Sequence, residues 1–380
     1  MAKAIRKRDK WYFLTLGAKW DRAVVPIYEA AARGKCVPLL KTLLTSFCKN
    51  DCKYCAFRAE RKVLRTTWEP KKLAEITICL WKQGKIRGLF LSSSISKDPD
   101  SIMEKQLEVV EHLRNMGYNG YIHLRIMPGA NRSYIKQAVR LADRVGVNLE
   151  APNKETFGEI CPDKGGFKEA VLKRLYWIID EVKSVRKESK DFRFGFAKAG
   201  IDTQMIVGAT EDNDFQFIRT TEWLYRKLGL RRVYYSGFEP IPQTPLEKRK
   251  PCPPWREYRL YQASFLIRDY GFKAEHFKQI VNDKGFLPNF DPKLVFAQLH
   301  PELFPIDLNT ATFNEILRVP HIGPINARKI INYRKMKPVR FISDLERALG
   351  PLLARRILPY VQVRDKRLSD FKTYINQKIL

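Results

Sequence analysis

Cysteine is scarce in this chain, with 7 among 380 residues. That excludes the disulfide-dense scaffolds of small secreted domains and makes any crowding of thiols informative. Long apolar runs are missing too. No window approaches the roughly 18 to 20 residues a membrane span needs, and the opening MAKAIRKRDKWYFLTLGAKWDR reaches only about five apolar residues before Gly17 and Lys19 interrupt it. A cytosolic protein with no membrane partner is expected. Acid is in short supply: 41 Asp and Glu stand against 70 Lys and Arg, a net charge of +29. A thermophile's surface would balance the two signs. The imbalance points to a polyanionic partner, nucleic acid first. What is present is a globular composition, 44% hydrophobic, long enough for one large domain and a smaller one.

Six β-rich runs alternate with longer amphipathic stretches: Val37 to Phe47, Arg87 to Ser94, Gly120 to Gly129, Val145 to Asn153, Gly200 to Ala209 and Arg232 to Pro240. In EPKKLAEITICLWKQG the residues Leu73, Ile76, Leu80 and Trp81 share a helical face, and several such stretches end at glycine. Strand then helix, six times over, predicts a parallel sheet, either doubly wound or rolled into a barrel. After residue 245 the texture turns Pro-rich and basic, then helical. The expected division is a basic extension over 1–30, the β/α region over 31–245, a bridging segment over 246–300 and a distinct module over 301–380.

Three of the seven cysteines, Cys48, Cys52 and Cys55, crowd into TSFCKNDCKYCAFRAER with the spacing C-x3-C-x2-C. Core thiols, a zinc site one ligand short, a disulfide with a spare and an iron–sulfur mount are the alternatives. A [4Fe–4S] cluster takes four ligands, usually thiolates, so three without a fourth leave one iron open. Cys36, Cys79, Cys161 and Cys252 are scattered singly, and the histidines are remote.

That spacing just after the first strand of an alternating β/α chain, with Tyr54 before the last Cys, resembles the radical S-adenosylmethionine (SAM) superfamily. The resemblance implies a partial (β/α)6 barrel of TIM type. It also implies a cluster held by Cys48, Cys52 and Cys55, SAM on the open iron, and reductive cleavage to a 5′-deoxyadenosyl radical. Tyr54 becomes an adenine neighbour. Ser92, Ser93 and Ser94 stand where family members often carry Gly-Gly-Glu for the methionine amine. Arg125, Asn148 and Glu150 are candidate contacts to ribose or carboxylate, or else Arg125 and Glu150 pair with each other inside the barrel. TQMIVGATED, with Gln204, Gly208 and Glu211, is similar to the family's adenine-contacting pattern with its first glycine replaced. YYSGFEPIPQTPLE resembles a subgroup associated with DNA or RNA modification or repair and carrying a helix–hairpin–helix tail. Cys252 is a candidate thiol, with a passive role as the simpler reading. Lys49, Lys53, Arg58 and Arg61 either guide a polyanion or offset the anionic cluster.

In the C-terminal module, LRVPHIGPINARKIINYRK fits a helix–hairpin–helix unit, whose glycine turn aims backbone N–H groups at a phosphate. His321, Ile322 and Gly323 form the turn, and Arg328, Lys329 and Arg334 are the basic candidates. His321 replaces the usual first glycine, at the cost of a strained positive φ or with its imidazole touching phosphate. The second copy, LERALGPLLARRILPY, reads as degenerate. Residues 301–380 hold 15 Lys and Arg against 7 Asp and Glu, a net +8. An all-α nucleic-acid-binding domain is expected.

The expected function is radical modification of a nucleoside in a polynucleotide, by C–H hydrogen abstraction leading to C-methylation, methylthiolation or rearrangement. tRNA ranks slightly ahead of DNA. The expected electron donor is of ferredoxin or flavodoxin type, and the expected state is a monomer. The alternatives are a DNA repair or modification enzyme, a non-enzymatic iron–sulfur nucleic-acid binder, a zinc protein and a peptide-modifying radical enzyme.

Overall fold

The computed structural model describes residues 27–32, 35–188 and 194–364. The basic stretch KAIRKRDKW lies outside the described residues. By packing, the chain divides into two compact units, one holding 27–212 with 223–257 and the other 213–222 with 258–364.

Unit 1 is built on a seven-stranded sheet whose order follows the chain. The hairpin of β1 (Ile27–Ala32) and β2 (Lys35–Leu43) is antiparallel. β1 straddles the boundary that the sequence placed at residue 30. β3 (Gly88–Ser92), β4 (Tyr121–Arg125), β5 (Arg144–Gly146), β6 (Ile201–Val207) and β7 (Arg232–Gly237) then add in parallel to β2. Right-handed crossovers, the rule between neighbouring parallel strands, put the connecting helices on one face. The other face curls inward, giving the expected (β/α)6 partial barrel.

Local chemistry sets where the helices start. Proline opens α1 (Pro70–Lys82) and α2 (Pro99–Asn115), and the Asp98 carboxylate caps α2 by accepting from the Ser101 N–H at 2.8 Å. α3 (Arg132–Leu141) follows, then α4 (Lys154–Ile160), which Asn153 caps through the Thr156 N–H, and α5 (Lys173–Glu188) behind a π-helical turn. The buried face of α1 is Leu73, Ala74, Thr77 and Ile78, not the face through Ile76 and Leu80 that apolarity alone suggests. Thr77 is admitted to the core because its hydroxyl donates to the Leu73 carbonyl at 2.8 Å.

β5 stops after three residues, so Asn148 and Glu150 do not sit on a strand as the run VGVNLEAPN suggested. Beyond Gly146 only an isolated bridge, Glu150 with Met205, continues the pairing, and Glu150 itself has a left-handed φ of 64°. Gly146 is required by close approach, since a Cβ there would meet the Asp202 carbonyl at 2.1 Å and the Arg125 guanidinium at 2.7 Å.

Unit 2 is all helical apart from short bridges. Among its elements are α6 (Asp214–Arg226) and α7 (Pro254–Asp269), each shared with unit 1 by the chain division, and the short α8 (Ala274–Phe277). α9 (Pro292–Leu299), α10 (Phe313–Arg318), α11 (Pro324–Met336), α12 (Ile342–Leu349) and α13 (Pro351–Ile357) follow. Thr312 and Glu315 close a capping box on α10. GPINARKI (323–330) and GPLLARRI (350–357) bury equivalent residues, Ala327 with Ala354 and Ile330 with Ile357. The second copy therefore keeps the packing positions of the first. Ile306 exchanges backbone hydrogen bonds with Tyr360 and Gln362, 2.9 Å each, and closes the module. Among the described residues no helix is long and apolar enough to cross a membrane.

Candidate active site

The C-terminal ends of the parallel strands surround a cavity of about 230 Å³. Tyr54, Cys55, Ser92, Ser93, Ser94, Arg125, Asn148, Glu150 and Gln204 all line it, so residues spread over 150 positions converge. Lys41, Phe90, Ser236 and Glu239 line it as well and were missed from sequence. For Lys41 a signal existed, because a lysine inside the apolar strand PLLKTLL needs a reason to be there.

The cysteine loop leaves β2 and is held by backbone bonds that prolong the β2–β3 pairing: Ser94 N–H to Thr45, 3.0 Å, and Lys49 N–H to Ile95, 2.8 Å. Arg65, which the sequence reading passed over, threads the loop. Its guanidinium donates to the carbonyls of Ser46 and Phe57 at 2.8 Å, of Arg58 at 2.5 Å and of Arg61 at 3.1 Å. Arg58 pairs with Asp51 (3.3 Å) and Glu60 (3.0 Å), and Arg61 donates to the carbonyls of Pro242 and Ala56. Those two arginines build the loop and are not available to guide a polyanion.

Cys48, Cys52 and Cys55 are free thiols, and the Phe57 N–H donates to the Cys55 sulfur at 3.4 Å. Burial and the neighbouring Cys52 push Cys55 up to about 12. A fourth thiol that looks isolated in sequence, Cys161, is folded against Cys52. Hydrogen bonding from Cys161 holds Cys52 below the ordinary thiol range, while burial and that same bond push Cys161 up. Lys53 N–H to Ile160 (2.9 Å) and Asp51 N–H to the Asp163 carboxylate (3.0 Å) dock the cysteine loop on this segment. Among the described residues no three Cys, His, Asp or Glu side chains already converge on one ion-sized site.

Two buried acids divide the charges differently from the pairing considered in sequence. Arg125 does not meet Glu150. It donates to Asp202 at 2.7 Å, and Asp202 also takes His123 Nε2 at 3.0 Å. Burial alone would raise the Asp202 carboxyl, but Arg125 and His123 outweigh it and hold it below the ordinary range. Burial pulls His123 down to about 4, and its ring stacks on Phe90 at 4.2 Å. Glu150, 2% exposed, accepts from Lys164 at 2.5 Å through Oε1. Its Oε2 and the Asn148 Oδ1 are buried and have no hydrogen-bond partner, and both residues line the cavity. Buried acceptors left unmatched mark a place for a donor-bearing ligand. Gly208 is not in the lining. Its φ of 88° lets Cys252 pack against it, and Glu211 turns outward to Arg249 at 2.8 Å. Cys252 is buried, which fits the passive reading.

In unit 2, His321 takes the expected positive φ, 65°, at the hairpin. Its N–H and that of Gly323 have no acceptor among the described residues, and α11 opens directly behind them. Arg328 and Lys329 are exposed. Ile322 is buried and donates its N–H to Val319. Arg334 is also withdrawn from any phosphate, since it donates to the carbonyls of Leu308 (2.8 Å) and Ala311 (2.6 Å).

Residues 42–224 match the Radical SAM superfamily, and this span contains the cysteine loop and most of the cavity wall. That span is a radical SAM domain. Residues 304–350 match the helix-hairpin-helix motif. A curated relative, "Probable threonylcarbamoyladenosine tRNA methylthiotransferase" from Pyrococcus abyssi (strain GE5 / Orsay), is 26% identical over 259 residues, 66% of this chain and 52% of its own length. The chain thus spans about half the length of that relative. Among solved structures, the FeFe-hydrogenase maturase HydG from Carboxydothermus hydrogenoformans aligns with TM-score 0.48 and 16% identity, covering 60% of this chain and 51% of that one. Methylornithine synthase (PylB) aligns with TM-score 0.46 and 14% identity, covering 69% of each. Radical SAM enzymes use a [4Fe–4S] cluster and SAM. The radical SAM enzyme described here has three free thiols on one loop beside a cavity with unmatched buried acceptors, a donor set that fits both groups.

Proposed function

We propose that this radical SAM enzyme modifies a nucleoside within a polynucleotide, with tRNA ahead of DNA. The observation that carries the reading is one chain joining the cavity to a basic module whose hairpin leaves N–H groups unmatched. The tRNA named for the curated relative supports RNA over DNA. Cys48, Cys52 and Cys55 are assigned to three irons. Tyr54, Ser92, Ser93, Ser94, Arg125, Asn148, Glu150 and Gln204 are assigned to SAM, with Glu150 Oε2 accepting from the amine in place of the absent Gly-Gly-Glu carboxylate. The bound pair supplies the means to abstract hydrogen from an unactivated C–H bond.

The chain's own residues orient and enclose. Asp202 fixes the Arg125 guanidinium, Lys164 fixes the Glu150 carboxylate, and Arg65 holds the cysteine loop in shape. The polyanion is held by the His321 to Gly323 hairpin with Arg328 and Lys329. C-methylation and methylthiolation are the proposed outcomes, with a one-electron donor of ferredoxin or flavodoxin type. Nucleoside mass spectrometry of RNA and DNA from cells with and without the gene tests this. A nucleoside lost from the tRNA pool is the expected result, a change confined to DNA moves the substrate, and no change in either pool removes the reading.

A further inference from the structure

The hairpin of unit 2 is backed by a buried ammonium. Lys293, the second residue of α9, is 7% exposed. Its Nζ donates to the Ile322 carbonyl at 2.5 Å and stands 4.9 Å from the centre of the Tyr270 ring. The nearby acid, Asp291, is already engaged: Oδ1 accepts from the Lys293 N–H at 2.8 Å and Oδ2 from Gln262 at 3.2 Å. Methionine would fill the same space without desolvating a charge, so packing does not explain the lysine.

Peptide geometry does. The Ile322–Gly323 peptide is trans and planar, so its C=O and N–H point in opposite directions. Drawing the oxygen inward onto Lys293 turns the Gly323 N–H outward, where it has no acceptor among the described residues. We propose that Lys293 is the positioning residue of this hairpin, holding the Ile322–Gly323 peptide so that its N–H, with those opening α11, faces a nucleic-acid backbone phosphate. This rests on the polynucleotide reading above.

A charge consequence follows. Burial pulls Lys293 down to about 7, and a phosphate anion at the hairpin favours the protonated form. The other charged and titratable groups around it are Asp291, Arg356, His321 and Tyr270. Burial and Arg356 hold His321 below its ordinary value, and burial raises Tyr270. Phosphate binding is therefore coupled to one proton on Lys293.

The test is fluorescence anisotropy of the full chain with a labelled RNA stem and a labelled DNA duplex at fixed salt, from about pH 6.5 to about pH 8.5. Wild type loses affinity severalfold as pH rises. Lys293→Met binds about tenfold more weakly at the acid end, the weight of one charge-assisted hydrogen bond, and its affinity is flat with pH. Lys293→Arg recovers part of the affinity and is also flat. If wild type fails to bind either probe, the polynucleotide reading falls and takes this proposal with it. Wild-type binding with an unchanged Lys293→Met affinity and slope overturns the proposal alone. Should Lys293→Met not fold, a wild-type affinity that does not vary with pH overturns it equally.

Discussion

Glu150→Gln separates the cavity's ligand chemistry from its structural ion pair. The wild-type carboxylate spends Oε1 on Lys164 at 2.5 Å and leaves Oε2 buried and unmatched, on a residue that lines the cavity. The amide would leave Lys164 as a buried cation without its acid, a loss of about 3–5 kcal/mol of stability. It would also remove a charged acceptor from SAM, about 1.5–3 kcal/mol or ten- to hundredfold in affinity. The two effects come apart in the double variant with Lys164→Met, which has no stranded charge. Its melting temperature should return most of the way to wild type while SAM affinity stays depressed. Equilibrium dialysis of labelled SAM against anaerobically reconstituted protein reads the second quantity, and a thermal melt reads the first. Double-variant affinity within about twofold of wild type would refute the assignment of Glu150 to SAM and leave it a structural partner of Lys164.

Alanine at Cys48, Cys52 or Cys55 should abolish iron and sulfide incorporation and the visible absorbance of the cluster, whereas Cys161→Ala should retain both; loss of the cluster in Cys161→Ala would make Cys161 a ligand. His123, folded at about 4 against an ordinary 6.5, lets the unfolded chain take up a proton first as pH falls. Its contribution is thus complete above about pH 6.5 and is lost toward pH 4, on the order of 2.5 kcal/mol by about pH 4.5. Urea unfolding at the two ends of that window should show the loss, and His123→Gln should flatten it. Arg65→Met should cost about 2 kcal/mol and open the cysteine loop to limited proteolysis between Arg58 and Lys62, because five carbonyls lose one shared donor.

What could be read from sequence was what the chain repeats locally. The C-x3-C-x2-C spacing, the six-fold β/α alternation and the hairpin glycine all lie within a few residues of their own context. The misreadings share a different cause. VGVNLEAPN keeps its apolar alternation past Gly146, but the left-handed φ at Glu150 ends the ladder, and no pattern of side chains announces a backbone angle. Arg125 and Glu150 were the nearest candidates for one another along adjacent strands. Each took a partner out of sequence view, Asp202 at 77 residues and Lys164 in the turn after α4. Arg334 looked like a phosphate ligand because it is basic and follows a hairpin. Its guanidinium is used on two carbonyls that only the folded module brings beneath it.

The fourth thiol bears on the open iron. Counting along the chain gave three cysteines and an iron without a protein ligand; folding brings Cys161 against Cys52, which invites the view that the fourth corner is filled after all. The contact argues the other way. Cys161 is buried on the segment that docks the cysteine loop, where the Lys53 N–H donates to the Ile160 carbonyl at 2.9 Å, and it is not among the residues that line the cavity with Cys55. A hydrogen bond to a ligating sulfur stabilises the more reduced, more negative cluster and raises its potential. The buried Lys164 ammonium, beside both sulfurs, acts in the same direction. Cys161 thus fits a place beside one ligand and off the cavity, from which it and Lys164 would tune the potential of a bound cluster, the outcome that Cys161→Ala tests.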